Sequence, residues 1–321
     1  MSKYDVLCVG SATVDTFLTI EQPFSSINIG DKVLATRIEK HSGGGATNSV
    51  AALSKLGFTV KMLTKLGNDH DAGFILQDLR RYHVDNLCHS RSAKKTDSAT
   101  IISSKKEHDR VIFVYKGASM DLMLSDLKES QVTAKWMYLA SLTGKSFQAA
   151  LHLAKIARKK NINLLFNPSL YLAKKGKKIL APILENAAIL VLNLEEAQAL
   201  ARTSSKNIPF LLQSLQKLGP KVVVITYGKK GLSALHKNTM YVLPKTPSVT
   251  IADTTGAGDA FTSGFLAGVM KRYTFEDALR LGQANATSVI QYIGAKDKLL
   301  TEKEAKLLMK KYKIPITAKR V

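Results

Sequence analysis

Four apolar runs, Trp136–Ala140, Ile162–Phe166, Ala187–Leu192 and Val222–Thr226, punctuate the second half of the chain, with helical spacing between the earlier ones. Phe147–Lys159 turns Leu151, Ala154 and Ile156 to one face, and Ile179–Leu184 reads as a shorter helix. Strands this short and this continuously apolar need cover on both sides. Joined by helices they run parallel, because each crossover returns the chain to the same end of the sheet. The fold class that follows is α/β, with a mainly parallel central sheet flanked by helices. Tyr4–Val9 and Val60–Leu66 read as two further strands of this kind, and Thr47–Leu56 and a stretch ending at Tyr82 as helices. Asp85 and Asn86 then begin a turn. Two early strands, Phe17–Ile20 and Lys32–His41, and a later pair, Ala99–Ser103 and Arg110–Tyr115, break the alternation. They predict a small β-sheet standing off the main body, from about 16–41 and 98–116, inserted in one domain that spans 1–321. The terminal helix, about Glu302–Lys311, reads as packing, and the basic residues after it as frayed.

Composition excludes several classes. No apolar run reaches the length of a membrane span, and Met1-Ser2-Lys3-Tyr4-Asp5 lacks the pattern of a signal peptide. Cys8 and Cys88 make neither a disulfide framework nor a zinc site, so a cytoplasmic setting is expected. The formal net charge of +22 raises the question of nucleic acid. Its lysines and arginines are scattered over many short pairs with no interleaved aromatics, which reads as solvated surface. No Gly-x-x-x-x-Gly-Lys-Ser/Thr loop is present.

The chemistry is concentrated in Asp253-Thr254-Thr255-Gly256-Ala257-Gly258-Asp259-Ala260-Phe261. Ser248–Ile251 ahead of it reads as extended chain and Phe261–Met270 behind it as a helix. Glycines at such a junction let a ligand approach backbone, and the first N–H groups of a helix attract anions. Asp259 then lies beside an anion site, where a carboxylate can take a proton from a hydroxyl while amides stabilise a phosphoryl group. An ordinary turn before a helix with an acidic first residue would give a shorter version of the same pattern. Gly43-Gly44-Gly45-Ala46-Thr47-Asn48 is a second glycine-rich turn opening a helix, which a mere hinge would also explain. Asp15 follows the first strand, where ligands of α/β sheets gather, or simply closes a turn. Asn193-Leu194-Glu195-Glu196 reads equally as a capped helix start.

The complete Asp253–Phe261 run resembles the C-terminal signature of the ribokinase-like (PfkB) family of sugar and nucleoside kinases, and the Gly43–Asn48 run its N-terminal signature. The resemblance covers Gly10 to about Ala295. It implies ATP-dependent phosphoryl transfer to a hydroxymethyl group of a sugar, with Asp259 as base and the amides of Gly256, Ala257 and Gly258 as anion hole. Asp15, Gly43, Gly44 and Asn48 match acceptor-binding positions. Asn193 and Glu196 match residues that organise Mg²⁺ through water and place the phosphates. Thr226 and Gly228 match the nucleotide's phosphate and ribose side, and Asn285 its adenine side. Asp253 and Thr255, with the Tyr292–Ala295 loop, match a monovalent-cation (K⁺) site. The small sheet matches a lid over the acceptor, which in several members also forms a homodimer contact. Gly45 departs from the pattern, since ribokinases proper carry lysine there. Two alternatives accompany this reading. A nucleoside kinase of the same fold would need a slot for the base, with Phe17, Phe24 or Phe113 as candidates. A protein that kept the fold and lost catalysis would bind nucleic acid through its charge.

Overall fold

The computed structural model describes residues 3–84, 87–107, 109–244 and 249–321. The turn expected at Asp85 and Asn86 therefore lies outside the described residues, as does Ser248. Fourteen strands form among the described residues: β1 Val6–Val9, β2 Thr13–Ile20, β3 Ala35–Gly43, β4 Val60–Gly67, β5 Leu87–Ser92, β6 Asp97–Ser104, β7 Asp109–Tyr115, β8 Trp136–Ala140, β9 Asn163–Asn167, β10 Ala187–Asn193, β11 Val222–Thr226, β12 Leu232–His236, β13 Thr239–Leu243 and β14 Thr317–Arg320. The helices are α1 Gly45–Lys55, α2 His70–Arg80, α3 Ser146–Lys159, α4 Leu170–Ala173, α5 Lys177–Leu184, α6 Leu194–Ala201, α7 Ile208–Gln216, α8 Ala257–Met270, α9 Phe275–Val289 and α10 Glu302–Tyr312. None of them is long and apolar enough to cross a membrane.

The main sheet has the order β14-β13-β12-β11-β10-β9-β8-β1-β4-β5. From β11 to β5 every pairing is parallel, and β12, β13 and β14 close one side antiparallel. Alternation on β1 shows why both faces are covered. Val6 and Cys8 enter one hydrophobic core with α1, α8 and α9, while Leu7 and Val9 enter the other with α3, α5 and α7. Strand order reverses at β1, whose neighbours are β4 on one side and β8 on the other. The carboxyl ends of β1 and β8 thus flank a crevice at a topological switch point.

A second sheet, β3-β2-β6-β7, carries the strands that break the alternation. It is a small four-stranded lid. Asp15 is not in a loop after β1, as expected, but is the third residue of β2, paired with His41 and Ala99. Pairing begins as early as Thr13↔Gly43, so the lid's base is welded to the second glycine turn. Three further differences have simple causes. β5 was not foreseen because its sequence, LCHSRS, is polar for a sheet strand, and it sits at the sheet edge. α7 starts behind an Asn207 cap with proline in its first turn and buries Leu211, Leu212 and Leu215. The tail after α10 does not fray, since Thr317–Val242 to Arg320–Thr239 register lets it complete the open backbone edge of β13.

One buried charge ties lid, helix and C-terminal loop together. Lys296 Nζ lies 2.7 Å from Asp78 Oδ2 on α2 and donates to the Ser42 hydroxyl near the end of β3. Burial pulls its ammonium below the ordinary value, against the opposing pull of Asp78. Removing one partner of a buried pair leaves the other charge uncompensated. Lys296→Met should therefore cost about 3 kcal/mol in urea unfolding. Adding Asp78→Asn should recover part of that loss.

Candidate active site

Five parallel strands deliver their carboxyl ends to one cavity of about 270 Å³, through Ser11 after β1, Ser141 after β8, and Asn167, Asn193 and Thr226 at the ends of β9, β10 and β11. Asp259 lines it from the first turn of α8, together with Gly256, Gly258 and Glu196. Gly256 takes the left-handed conformation at φ 77°, with Ala295 where a side chain would stand. Gly258 has open space at its Cβ position. The three amides expected to act alike are not equivalent, because Ala257 N–H turns back to the Thr254 carbonyl at 3.3 Å.

Asp259 is reached by two side chains from distant elements. Asn48 Nδ2, on α1, donates to its Oδ2 at 2.8 Å. The Tyr138 phenol, at the centre of β8, stands 3.4 Å from its Oδ1 and equally 3.4 Å from Asn167 Oδ1. One phenolic proton cannot serve both oxygens, so Tyr138 chooses between carboxylate and amide. Burial raises the Asp259 carboxyl above its ordinary value, and the Asn48 and Tyr138 hydrogen bonds pull it back. Burial likewise pushes the Glu196 carboxyl up to about 7. Tyr138 carried no signal in the sequence beyond an apolar strand position; nothing in a strand pattern says which buried residue touches the site.

Of the acceptor candidates, Asn48 reaches Asp259, and Asp15 and Gly43 meet at the root of the lid. Asp15 is raised by burial and eased by Thr13, Lys116, Lys296 and His41. A Cβ on Gly43 would lie 2.2 Å from Asp15 Oδ2, so that glycine makes room for the carboxylate. Asn48 Oδ1 is buried without a partner. Gly45 faces Ala140, whose Cβ would be 2.6 Å from an added one, which explains why no lysine stands there. Asn193 and Glu196 do form the reciprocal cap at the start of α6, at 2.8 and 2.9 Å, and Glu196 also faces the cavity. Thr226 lines the cavity; Gly228 opens the turn beyond it at φ 58°. Asp253 Oδ1 accepts from the Thr255 amide and hydroxyl at 3.1 and 2.9 Å. Asn285 does not line the cavity. It is fully buried, donating to the Ala260 carbonyl at 2.8 Å and accepting from Leu300 N–H at 3.1 Å, so both ends of its amide are spent on the core.

The model of the pfkB family of carbohydrate kinases matches residues 3–302. The chain belongs to this family. It is accordingly a transferase, an ATP-using kinase and phosphotransferase. An ATP-dependent 6-phosphofructokinase of Thermoanaerobacterium thermosaccharolyticum is 27% identical, covering 91% of this chain and 90% of its own. A ribokinase of Staphylococcus aureus is 26% identical over 90% of this chain and 94% of its own. The crystal structure of the Methanocaldococcus jannaschii nucleoside kinase, an archaeal member of the ribokinase family, shares the fold with a TM-score of 0.81 at 22% identity, covering 97% and 99% of the two chains.

Two measurements follow from the Asp259 environment. Its folded pKa lies above the ordinary 3.8, so its favourable contribution is complete below 3.8 and is lost as pH rises through the folded value. At pH near 7, Asp259→Asn should melt higher than the parent protein, and the difference should vanish in acid, as read by scanning calorimetry. Tyr138→Phe removes one donor to the carboxylate without changing volume. It should move the acidic limb of the pH–turnover profile to higher pH.

Proposed function

We propose that the protein transfers the γ-phosphoryl group of ATP to a hydroxymethyl group of a sugar, with Asp259 as general base. The Asp259–Asn48 pair carries this reading. The group that would take the hydroxyl proton is held by a residue whose own Oδ1 is buried and unpartnered, ready for a neighbouring hydroxyl of the same acceptor. Asp15, in the space left by Gly43, would accept from further hydroxyls. As Asp259 removes the proton, the oxygen would attack the γ-phosphorus, the bond from it to the β–γ bridging oxygen would break with ADP leaving, and the amides of Gly256 and Gly258 at the start of α8 would face the charge on the transferred group. Thr226 and Asn193, which line the cavity, would contact the nucleotide, with Gly228 in the turn beyond.

Glu196 fits a magnesium site of few protein oxygens and retained waters. Mg²⁺ neutralises charge between the phosphates when bound. The Asp253 Oδ2 atom, buried with no partner, suits a monovalent cation next to Thr255. One observation favours a nucleoside as acceptor instead. Phe17 shares the lid face with Asp15, its ring edge-on to His41 at 5.5 Å, and would offer a base an apolar ceiling. Phe113 belongs to the opposite lid face, where Ile38 and Val111 are also exposed; a homodimer would form there.

Asp259→Asn should retain ATP binding and lose about 10²–10⁴-fold in turnover. Near-normal turnover would remove Asp259 from the role. Asp15→Ala should raise the acceptor KM and leave ATP affinity alone. A panel of ribose, fructose 6-phosphate and adenosine, scored by ADP release, separates the acceptor classes.

A further inference from the structure

Arg110 stands at the far end of the lid and touches the far side of the site. Register places it opposite Ser103, which pairs with Thr19, four positions beyond Asp15 along β2. That is about 13 Å from the acceptor-binding end of the same strand. Its side chain nevertheless reaches the main body. Arg110 Nη1 donates to Asp253 Oδ1 at 2.9 Å, and Nη2 lies 3.4 Å from the Thr254 hydroxyl. The Asp253 side chain is 5% exposed, and the donors it otherwise has are the amide and hydroxyl of Thr255. A cation from the lid thus supplies the charge for a carboxylate that shapes the turn directly ahead of Gly256. The backbone of the turn is held separately, where Ala252 and Asp253 N–H groups meet the Ile290 carbonyl at 2.9 and 3.3 Å.

We propose that Arg110 is a positioning residue, a latch by which the closed lid sets the Asp253–Thr255 turn and, through it, the amides of Gly256 and Gly258. A lid lying over its acceptor brings Arg110 to Asp253. With the lid raised, the carboxylate keeps only Thr255, and the turn is free to relax. The amides facing the phosphoryl group are then in register only while the acceptor is enclosed, which keeps ATP from reacting with water under an open lid. Arg110 leaves Asp253 Oδ2 untouched, so the latch and a cation at that atom are compatible.

The inference rests on reading Gly256–Gly258 as the anion hole, so its test has one arm that does not depend on activity. Amide hydrogen exchange is measured on the full chain, without ATP and with the acceptors of the panel above at saturation, for the parent, Arg110→Ala and Arg110→Lys. Exchange at residues 254–258 should speed up several-fold in Arg110→Ala and return part of the way in Arg110→Lys, while exchange in the central strands of the main sheet stays at the parent's rate. With the acceptor that turns over in the panel above, Arg110→Ala should lower kcat about tenfold and leave the KM for ATP within twofold, the order expected for a mispositioned donor. Unchanged exchange at 254–258 would overturn the latch whatever Asp259→Asn does. A rise in acceptor KM with kcat intact would overturn it too, because Arg110 would then be holding the acceptor. Faster exchange with kcat intact would leave the contact real and show that it does not position the amides, which also rejects the proposal.

Discussion

A half-buried carboxylate answered by neutral donors is the constraint around which this molecule is arranged. Asp259 is met by an amide from α1 and a phenol from β8. An adjacent cation would lower its affinity for a proton and blunt it as a base, whereas two neutral donors steady its charge and leave it basic. The cost is borne by the fold, because ionising Asp259 in place is harder than in the unfolded chain. Cys8 and Glu196 lie within its electrostatic reach, and neither relieves it. The helix start, the small residues and the strand ends are arranged to hold that charge at the mouth of a crevice.

Positive charge is instead placed one step away, on the lid and the segments that join it to the main body. Lys296 holds the lid's root to α2, Lys116 sits near Asp15 and pairs with Asp97, and Arg110 reaches from the lid's tip to Asp253. These contacts join chain segments far apart in sequence. They make the lid's orientation and the geometry of the Asp253–Gly258 turn parts of one electrostatic arrangement, while Asp259 itself stays outside it.

The sheet's core was readable from the chain because buried parallel strands have a plain signature. Trp136–Ala140 and Val222–Thr226 were placed to the residue. The glycine turns were readable for a similar reason, since an absent Cβ is visible in one letter. What stayed hidden was set by partners. The tail strand β14 is polar and takes its structure from the open edge of β13. Tyr138 looks like any core aromatic until β9 and α8 are brought beside it. Asn285 was given a nucleotide role by its position in the family pattern, but its amide matches the Ala260 carbonyl and the Leu300 N–H so well that it belongs to the core. Pairing between side chains far apart in sequence leaves no periodic trace, and the lid's arginine belongs to that class.

The placement of β14 has a consequence for how these molecules meet one another. A nine-stranded sheet ending in β13 would present a row of bare backbone donors and acceptors, an open invitation to strands of other molecules. The segment laid over it is short, exposed throughout, and carries Lys319 and Arg320. In a chain with a formal charge of +22, that places like charges along the rim most prone to sheet-to-sheet stacking. The lysine and arginine of that rim can thereby keep a large sheet dispersed in solution.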